Sequence, residues 1–592
     1  MRSRGAAGSG GSESKICSPP RQNFFYPMKS LLATVGMAML LTHAGAQVSS
    51  PAPRVQPPAA AGVSVLTQHN DNQRTGANLQ ETRLTPARVT PRHFGLLFRQ
   101  DVDDQLYGQP LVAAGVKIAG GVHNVVYVAS VNNTVYAFDA DHPSSAPYWI
   151  NNLGPSASVN DDYFGCSDIT GRFGIIGTPV IDAAARTLYV VSLTIEHARF
   201  VQKLHALSLR TGFERQPGPV VISAYDFHPL QQNQRPALLL ANGVVYVGYS
   251  SHCDHGRYHG FLFAYNARTL QRIAVFNDTL TGAGGGIWQS GQGPAAGPGG
   301  HIYLTTGNGD WDGRYNFSES LLRLSPRYGL ALRDWFTPSN YGLLNQADLD
   351  LDASGVLLIP GTHLATADGK QGFLYLINTQ RLGHLGDAGA VEKLHASLSE
   401  LNGGPVYWNS ARRGPVLYLW GQDDVLRGYR LAGGRLETQP FSQGSILSAY
   451  PGGMLSLSAN GGRAGIVWAN TMARAGTHHH AGAHQYAALG VLRAFDANDL
   501  SKELWDSDRH FQRDHCGNIS KDAPPTVANG KVYVASFGDQ LNATGRLCVY
   551  GLLPAAAPPR PAGNRRVNSM TIPRARSFFR HRHPEVINRF AG

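Results

Sequence analysis

The stretch Val125–Ala140 reads VVYVASVNNTVYAFDA: an apolar run around a tyrosine, a polar Asn-Asn break, and a second run ending in Asp-Ala. Runs this short, rich in Val, Tyr and Phe and parted by a turn signal, predict two strands of a hairpin rather than a helix. The phrase returns around Tyr189, Tyr246, Tyr303, Leu358, Tyr418, Val467 and Tyr533. The intervals are roughly 50–65 residues, within or just above the period of propeller blades. A second apolar phrase precedes several of these runs: Leu106–Ala113, Gly177–Asp182, Arg235–Leu240, Gly293–Pro298 and Pro524–Ala528. These phrases read as inner strands, and the tyrosine runs as outer strands of the same blade. The expectation is an all-β protein, an eight-bladed β-propeller over residues 63–555. Seven blades is the alternative, because the copies around Leu358 and Val467 are weaker. The first and last segments are expected to share a blade, which closes the ring and removes free sheet edges.

Length adds little to this picture. A chain of 592 residues suggests several domains at about 150 residues each, but a propeller grows by adding blades around one axis. Only 15% of residues are charged, and 68 glycines and 35 prolines suit short strands and tight turns. The formal charge of +11 looks like a nucleic-acid signal, yet much of it sits in the end segments. The tail 556–592 carries Arg565, Arg566, Arg574, Arg576, Arg580, Arg582 and Arg589 with few apolar residues. It is expected to be disordered and to support a nonspecific polyanion contact at most, with no specific nucleic-acid partner.

Met28–Ala46 has one lysine, an apolar core from Leu31 to Leu41 and an Ala-Gly-Ala box, the pattern of a secretory signal. The core is too short to span a bilayer comfortably, so no transmembrane segment is expected. Residues 1–27 then read as an upstream extension and Gln47–Gly62 as a Pro/Ala-rich linker. The protein is expected to be exported, periplasmic or extracellular. Export leaves Cys166, Cys253, Cys516 and Cys548, an even number in an oxidising compartment, with pairing open. No CxxCH motif for covalent haem is present.

Propeller ligands sit near the axis on loops from one face, so polar, non-repeating loops are the places to examine. Gly165–Gly174 carries Cys166, Asp168 and Arg172; Tyr249–Gly260 carries Ser251, His252, Cys253, Asp254 and His259. Gly284–Trp311 holds Trp288 and Asn308-Gly309, and Trp335–Asp352 ends in Asp-Leu-Asp-Leu-Asp, followed by Lys370. Each has a plain reading. Asn308-Gly309 is a turn signal, Asp254 caps a turn, the Asp348–Asp352 alternation is one face of an edge strand, Trp288 packs in a blade, and Arg172 pairs with Asp168. His478, His479, His480 and His484 suit a solvated loop better than a metal site, and Trp408 is equally well blade packing.

Taken in order, these loops resemble those of the quinoprotein alcohol dehydrogenases, eight-bladed propellers that hold pyrroloquinoline quinone and calcium on the axis. Gly165-Cys166-Ser167-Asp168 with Arg172 is similar to the family's Cys-Cys step, with Ser167 for the second cysteine. Asp254, ahead of Gly256, Gly260 and Ala264-Tyr265, stands at the family's calcium-binding Glu. Trp288 after a Gly-Gly matches the floor under the quinone. Thr337-Pro338 followed by Asp348-Leu349-Asp350 resembles the catalytic Asp phrase without its Trp, and Lys370 precedes Gln371-Gly372. Trp408 echoes another quinone-side phrase.

The resemblance implies that Arg172, Ser251, Trp288 and Lys370 touch pyrroloquinoline quinone. It implies that Asp254, Asn308 and Asp348 hold Ca2+, and that Asp348 is the catalytic base toward a small-molecule alcohol or sugar. The residue chemistry agrees. Calcium takes carboxylate and carbonyl oxygens, cations suit a cofactor bearing several carboxylates, and an indole stacks. Without haem in the chain, such an enzyme needs a separate electron acceptor. The alternative is a noncatalytic propeller, a scaffold or ligand-binding module of the cell envelope.

Overall fold

The computed structural model describes residues 62–144, 146–157, 168–472, 488–539 and 544–554. Its strands form eight sheets, one for each copy of the repeat. Blade 1 comprises Leu111–Ile118, Gly121–Ala129, Thr134–Asp139 and Trp149–Asn152, each antiparallel to the next. The first strands of blades 2 to 8 begin at Val180, Leu239, Ala295, Leu357, Val406, Met454 and Thr526. First strands of most neighbouring blades touch, including those of blades 8 and 1, so they line the axis. The tyrosine runs read as outer strands are therefore second strands. Outermost strands such as Trp149–Asn152 and Arg272–Asn277 are partly exposed and carry no repeat. Leu358 lies in the first strand of blade 5, Leu357–Ile359, which explains why its copy looked weak.

The repeat has a physical cause in the contact between blades. Tyr127, Tyr189, Tyr418 and Tyr533 each donate their hydroxyl to a carbonyl of the next blade, those of Leu209, Ala267, Ala497 and Ala140, at 2.7–2.9 Å. Ala140 and Ala497 end the Asp-Ala phrase itself, so the two halves of the repeat bind each other across blades. Around them the apolar residues form a separate cluster at each blade interface. One joins Tyr189 and Val191 of blade 2 to Val245 and Phe263 of blade 3; another joins Tyr533 and Val549 of blade 8 to Val126 and Phe138 of blade 1. Blade 8 closes the ring by taking Phe94–Val102 as its outermost strand, antiparallel to Gly545–Leu552. A disulfide, Cys516–Cys548, ties the loop before blade 8 to its third strand, with sulfurs 2.07 Å apart. Cys253 is disulfide-bonded as well.

The segment Val65–Asn78 visits all eight inner strands in order. Val65 exchanges backbone hydrogen bonds with Val112, and Leu66 accepts from Ile181. Asn72 donates its amide to Leu240 and accepts at its carbonyl from Ala296. Gln73, Thr75 and Gly76 accept from Leu358, Tyr407 and Leu457, and the Asn78 amide reaches Val527. This strap runs round the axial channel, with Arg74 fully buried inside it. The Arg74 guanidinium donates to Gln68 O at 2.7 Å, Thr67 Oγ1 at 2.8 Å and Pro294 O at 2.9 Å.

Among the described residues no helix is long and apolar enough to cross a membrane. The signal-like segment 28–46, the linker up to residue 61, Cys166, the histidines at 478–480 and 484, and the tail 556–592 lie outside the described residues.

Replacing Arg74 by methionine is expected to leave buried carbonyls without donors, each costing about 1–3 kcal/mol. Denaturant unfolding should show a midpoint lowered accordingly. An unchanged midpoint would mean the strap does not support the ring.

Candidate functional site

In every blade the first strand starts, and the antiparallel second strand ends, at the same face of the ring. Loops before first strands and after second strands therefore meet there over the axis. They enclose a cavity of about 390 Å³. Ser251 and Asp254 come from the loop after Val244–Gly248, and Asn308 from the loop after Ile302–Thr305; Lys370 follows Leu364–Asp368. Trp288 precedes Ala295–Ala296, Asp348, Asp350 and Asp352 precede Leu357–Ile359, Tyr450 precedes Met454–Asn460, and Lys521 precedes Thr526–Ala528.

The structure thus brings Ser251, Asp254, Trp288, Asn308, Asp348 and Lys370 to one cavity. It does not bring Arg172 there. The Arg172 side chain is half exposed, with Nε 3.9 Å from Asp104 Oδ2, and it stands outside the cavity lining. The partner proposed for it, Asp168, is bound by Lys521. Trp408 is also elsewhere, buried in the first strand of blade 6 with Nε1 donating to Gly461 O at 2.9 Å. The Asp348–Asp352 alternation is not an edge strand. A short helix, Tyr341–Ala347, ends on Asp348 in the left-handed region, φ 55°, which the short polar side chain of Asp tolerates. That turn swings Asp348 over Asn308, and the next turns send Asp350 and Asp352 inward.

The blade 3–5 wall is acidic and tightly bonded. The Asn308 amide donates to Asp254 Oδ2 at 2.9 Å and Asp348 Oδ1 at 2.8 Å. Ser251 and Tyr258 hydroxyls donate to Asp254 Oδ1 at 2.9 and 2.5 Å. Lys370 Nζ lies 2.9 Å from Asp348 Oδ1 and 2.5 Å from Asp350 Oδ2. Asp352 accepts the Trp288 backbone N–H at 2.7 Å, and Glu319 accepts that of Leu351 at 2.8 Å. Gly307 passes so close that a Cβ there would meet Asp352 Oδ1 at 2.6 Å; only glycine fits.

The Lys370 ammonium pairs directly with Asp348 and Asp350, and its charge bears on Glu319 and Asp352 as well. Burial pushes the Asp350 carboxyl up to about 7, with the Asp348 and Asp254 charges adding to it and Lys370 opposing. Burial and the neighbouring Asp350 hold Asp352 and Glu319 well above the usual carboxylate range. Lys370 loses solvation by burial, yet Asp350 and Asp348 hold it above the ordinary lysine value.

Sequence reasoning missed Asp350, Asp352, Glu319, Tyr258, Tyr450 and Lys521 as site residues. Position carried a usable signal for several of them. Lys521 precedes the inner-strand phrase Pro524–Ala528, just as Trp288 precedes Gly293–Pro298.

No family model matches the sequence, and no curated protein matches it significantly. Solved structures do match. The quinohemoprotein alcohol dehydrogenase ADHIIG from Pseudomonas putida HK5 is 15% identical, with TM-score 0.53, over 84% of this chain and 82% of that one. The quinohemoprotein alcohol dehydrogenase from Comamonas testosteroni is 14% identical, with TM-score 0.54, over 82% and 80%. A europium-containing methanol dehydrogenase is 14% identical, with TM-score 0.54, over 83% and 98%.

The chain shares the eight-bladed propeller fold of these enzymes.

On that fold, the implied metal and quinone can be set against the residues present. The Asn308 amide nitrogen stands within hydrogen-bond distance of a carboxylate oxygen of both Asp254 and Asp348, and buried Oδ1 of Asn308 and Oε1 of Glu319 have no hydrogen-bond partner. A set of carboxylate and amide oxygens with surplus negative charge suits a hard cation. Among the described residues, no three His, Cys, Asp or Glu side chains stand so as to hold a metal ion by themselves; the Lys370 ammonium lies among the carboxylates instead. Trp288 offers the aromatic shelf of the quinoprotein reading.

The acidic wall gives a pH signature. The folded protein keeps the Asp350 proton up to about 7, whereas the unfolded chain releases it near 3.9. Between those values the folded state binds more protons, so stability should fall as pH rises through this window and level off above it. Calcium should replace the protons, raising the melting midpoint at pH 7.5 and leaving it nearly unchanged at pH 5. Asp350→Asn should flatten both responses in thermal unfolding. A calcium-independent profile would rule out a cation on this wall.

Proposed function

We propose that this protein is an exported quinoprotein-type oxidoreductase. It oxidises a small alcohol or sugar with pyrroloquinoline quinone and a hard metal ion and passes electrons to a separate acceptor. The observation that carries this reading is the axial cup, in which a surplus of carboxylates faces an aromatic shelf. The related folds of two quinohemoprotein alcohol dehydrogenases and a methanol dehydrogenase support it, and the europium of the last favours testing a lanthanide beside calcium. The signal-like segment 28–46 supports export.

Bound quinone and metal supply the acceptor for the substrate's electrons. The chain's own residues do the rest. Trp288 carries the planar ligand on its ring. Asp254, Asn308 and Asp348 present oxygens to the metal, with Ser251 and Tyr258 holding Asp254 in place. Asp348, 68% exposed at the cavity mouth, takes the proton from the substrate hydroxyl. Lys370 and the Asn308 amide both bind its Oδ1, which orients Oδ2 toward an incoming alcohol. Asp350, on the far side of the same ammonium, holds Lys370 in place with Nζ 2.5 Å from its Oδ2.

The test is to purify the exported form, add pyrroloquinoline quinone with Ca2+ or a lanthanide, and measure bound chromophore and dye-linked oxidation of alcohols, polyols and sugars. Saturable quinone binding with turnover supports the proposal; neither would leave a noncatalytic propeller. Asp348→Asn is expected to keep quinone binding and lose about 10²-fold or more in kcat, because an amide cannot accept the proton. Asp254→Ala should weaken metal and quinone binding together.

A further inference from the structure

Blade 6 packs against blade 5, whose loops carry Asp348 and Lys370, and it adds three polar side chains to the cavity. Glu400 and Asn402 lie in the loop before Val406–Ser410, and Gln422 in the loop after Gly414–Leu419. The two loops are bonded to each other, the Gln422 N–H donating to Glu400 O at 2.8 Å. The Asn402 amide donates to Glu400 Oε2 at 3.2 Å, and the Gln422 amide to Asp423 Oδ2 at 3.2 Å. A carboxylate oxygen accepts, so each NH2 faces its carboxylate and each amide oxygen faces away from it. Gln422 is 5% exposed, and its buried Oε1 has no hydrogen-bond partner. Apolar side chains contribute little here: among the described residues, Ala353 and Met472 join the rings of Trp288 and Tyr450 in the lining.

Resting on the quinone reading above, we propose that blade 6 selects the substrate, and that it selects a neutral polyol or sugar. Gln422, Asn402 and Glu400 accept hydrogen bonds from hydroxyls remote from the one that is oxidised at Asp348. The wall consists of acceptors, and a hydroxyl is the substrate group that donates without bringing a charge. A buried oxygen such as Gln422 Oε1 costs free energy while no donor meets it. An alcohol with further hydroxyls therefore gains there what a plain alkanol forfeits. The same acceptors discriminate against a sugar acid, whose carboxylate has no proton to give and meets Glu400 with like charge. An apolar alcohol of equal length finds little to pack on.

The test uses the full exported protein with pyrroloquinoline quinone and calcium, and three probes: D-sorbitol, 1-hexanol of the same carbon number, and D-gluconate. Dye-linked oxidation gives kcat/KM for each, and calorimetry gives the binding of quinone and of sorbitol. Sorbitol should exceed 1-hexanol by about 10²-fold or more in kcat/KM. Gln422→Leu should lower that ratio by about tenfold, chiefly through KM, because it removes uniform binding of a hydroxyl. Glu400→Gln keeps an acceptor and removes the charge, so the ratio of gluconate to sorbitol should rise by about tenfold. Quinone binding with a sorbitol preference that Gln422→Leu leaves unchanged overturns this proposal and keeps the quinone reading; so does quinone binding without oxidation of sorbitol. If Gln422→Leu does not fold, an unchanged gluconate-to-sorbitol ratio in Glu400→Gln overturns it instead. Where quinone does not bind, sorbitol binding that depends on Gln422 sinks the quinone reading and keeps this one. Any other result there sinks both.

Discussion

Eight inner strands turn their free backbone edges toward one axis, where water has little access and no ninth sheet can follow. Backbone groups left unpaired there would cost about 1–3 kcal/mol each. The strap Val65–Asn78 relieves this by bonding to every inner strand in turn. Its own polar side chains, Arg74 foremost, find their partners in the same channel. The consequence reaches the site. With the strap lying along the inner strands, the loops that precede those strands close over it as a cup on one face. Ring closure depends on the same N-terminal region, since Phe94–Val102 completes blade 8.

The cup has two unlike walls. Blades 3 to 5 bring together more carboxylates than cations, and burial raises the carboxyls of Asp350, Asp352 and Glu319 above the range of solvent-exposed acids. Blade 8 with the loop before blade 2 brings Lys521 against Asp168, with Trp288 and Tyr450 beside them. An anionic ligand approaching the acidic wall alone would be repelled. A hard cation reverses that sign, so on the quinoprotein reading metal and quinone bind as a pair rather than independently.

How far the site was legible follows from what each residue does locally. Asp254, Trp288, Asn308, Asp348 and Lys370 sit in loops whose glycines and turn residues mark them as breaks in the strand pattern, and their order along the chain matched a known arrangement. Arg172 had the right neighbours in sequence, but its loop turns it toward Asp104. Lys521 and Tyr450 had no motif at all; they matter because ring closure brings blades 7 and 8 opposite blade 4. Asp350 and Asp352 were visible as an alternation, whose direction depended on a helix end at Asp348 that strand periodicity could not reveal.

By itself, the sequence determined the all-β class, a repeat pointing to eight blades with seven as the alternative, and the loops worth examining. These follow from nearest-neighbour physics: strand alternation, turn residues, and a repeat whose tyrosine must reach the carbonyl of the next blade. Only the tertiary structure decided which charged groups share the cup and that the strap lines the channel. Those outcomes arise from contacts between residues hundreds of positions apart, such as Lys521 with Asp168 and Asn78 with Val527, and no local pattern encodes them.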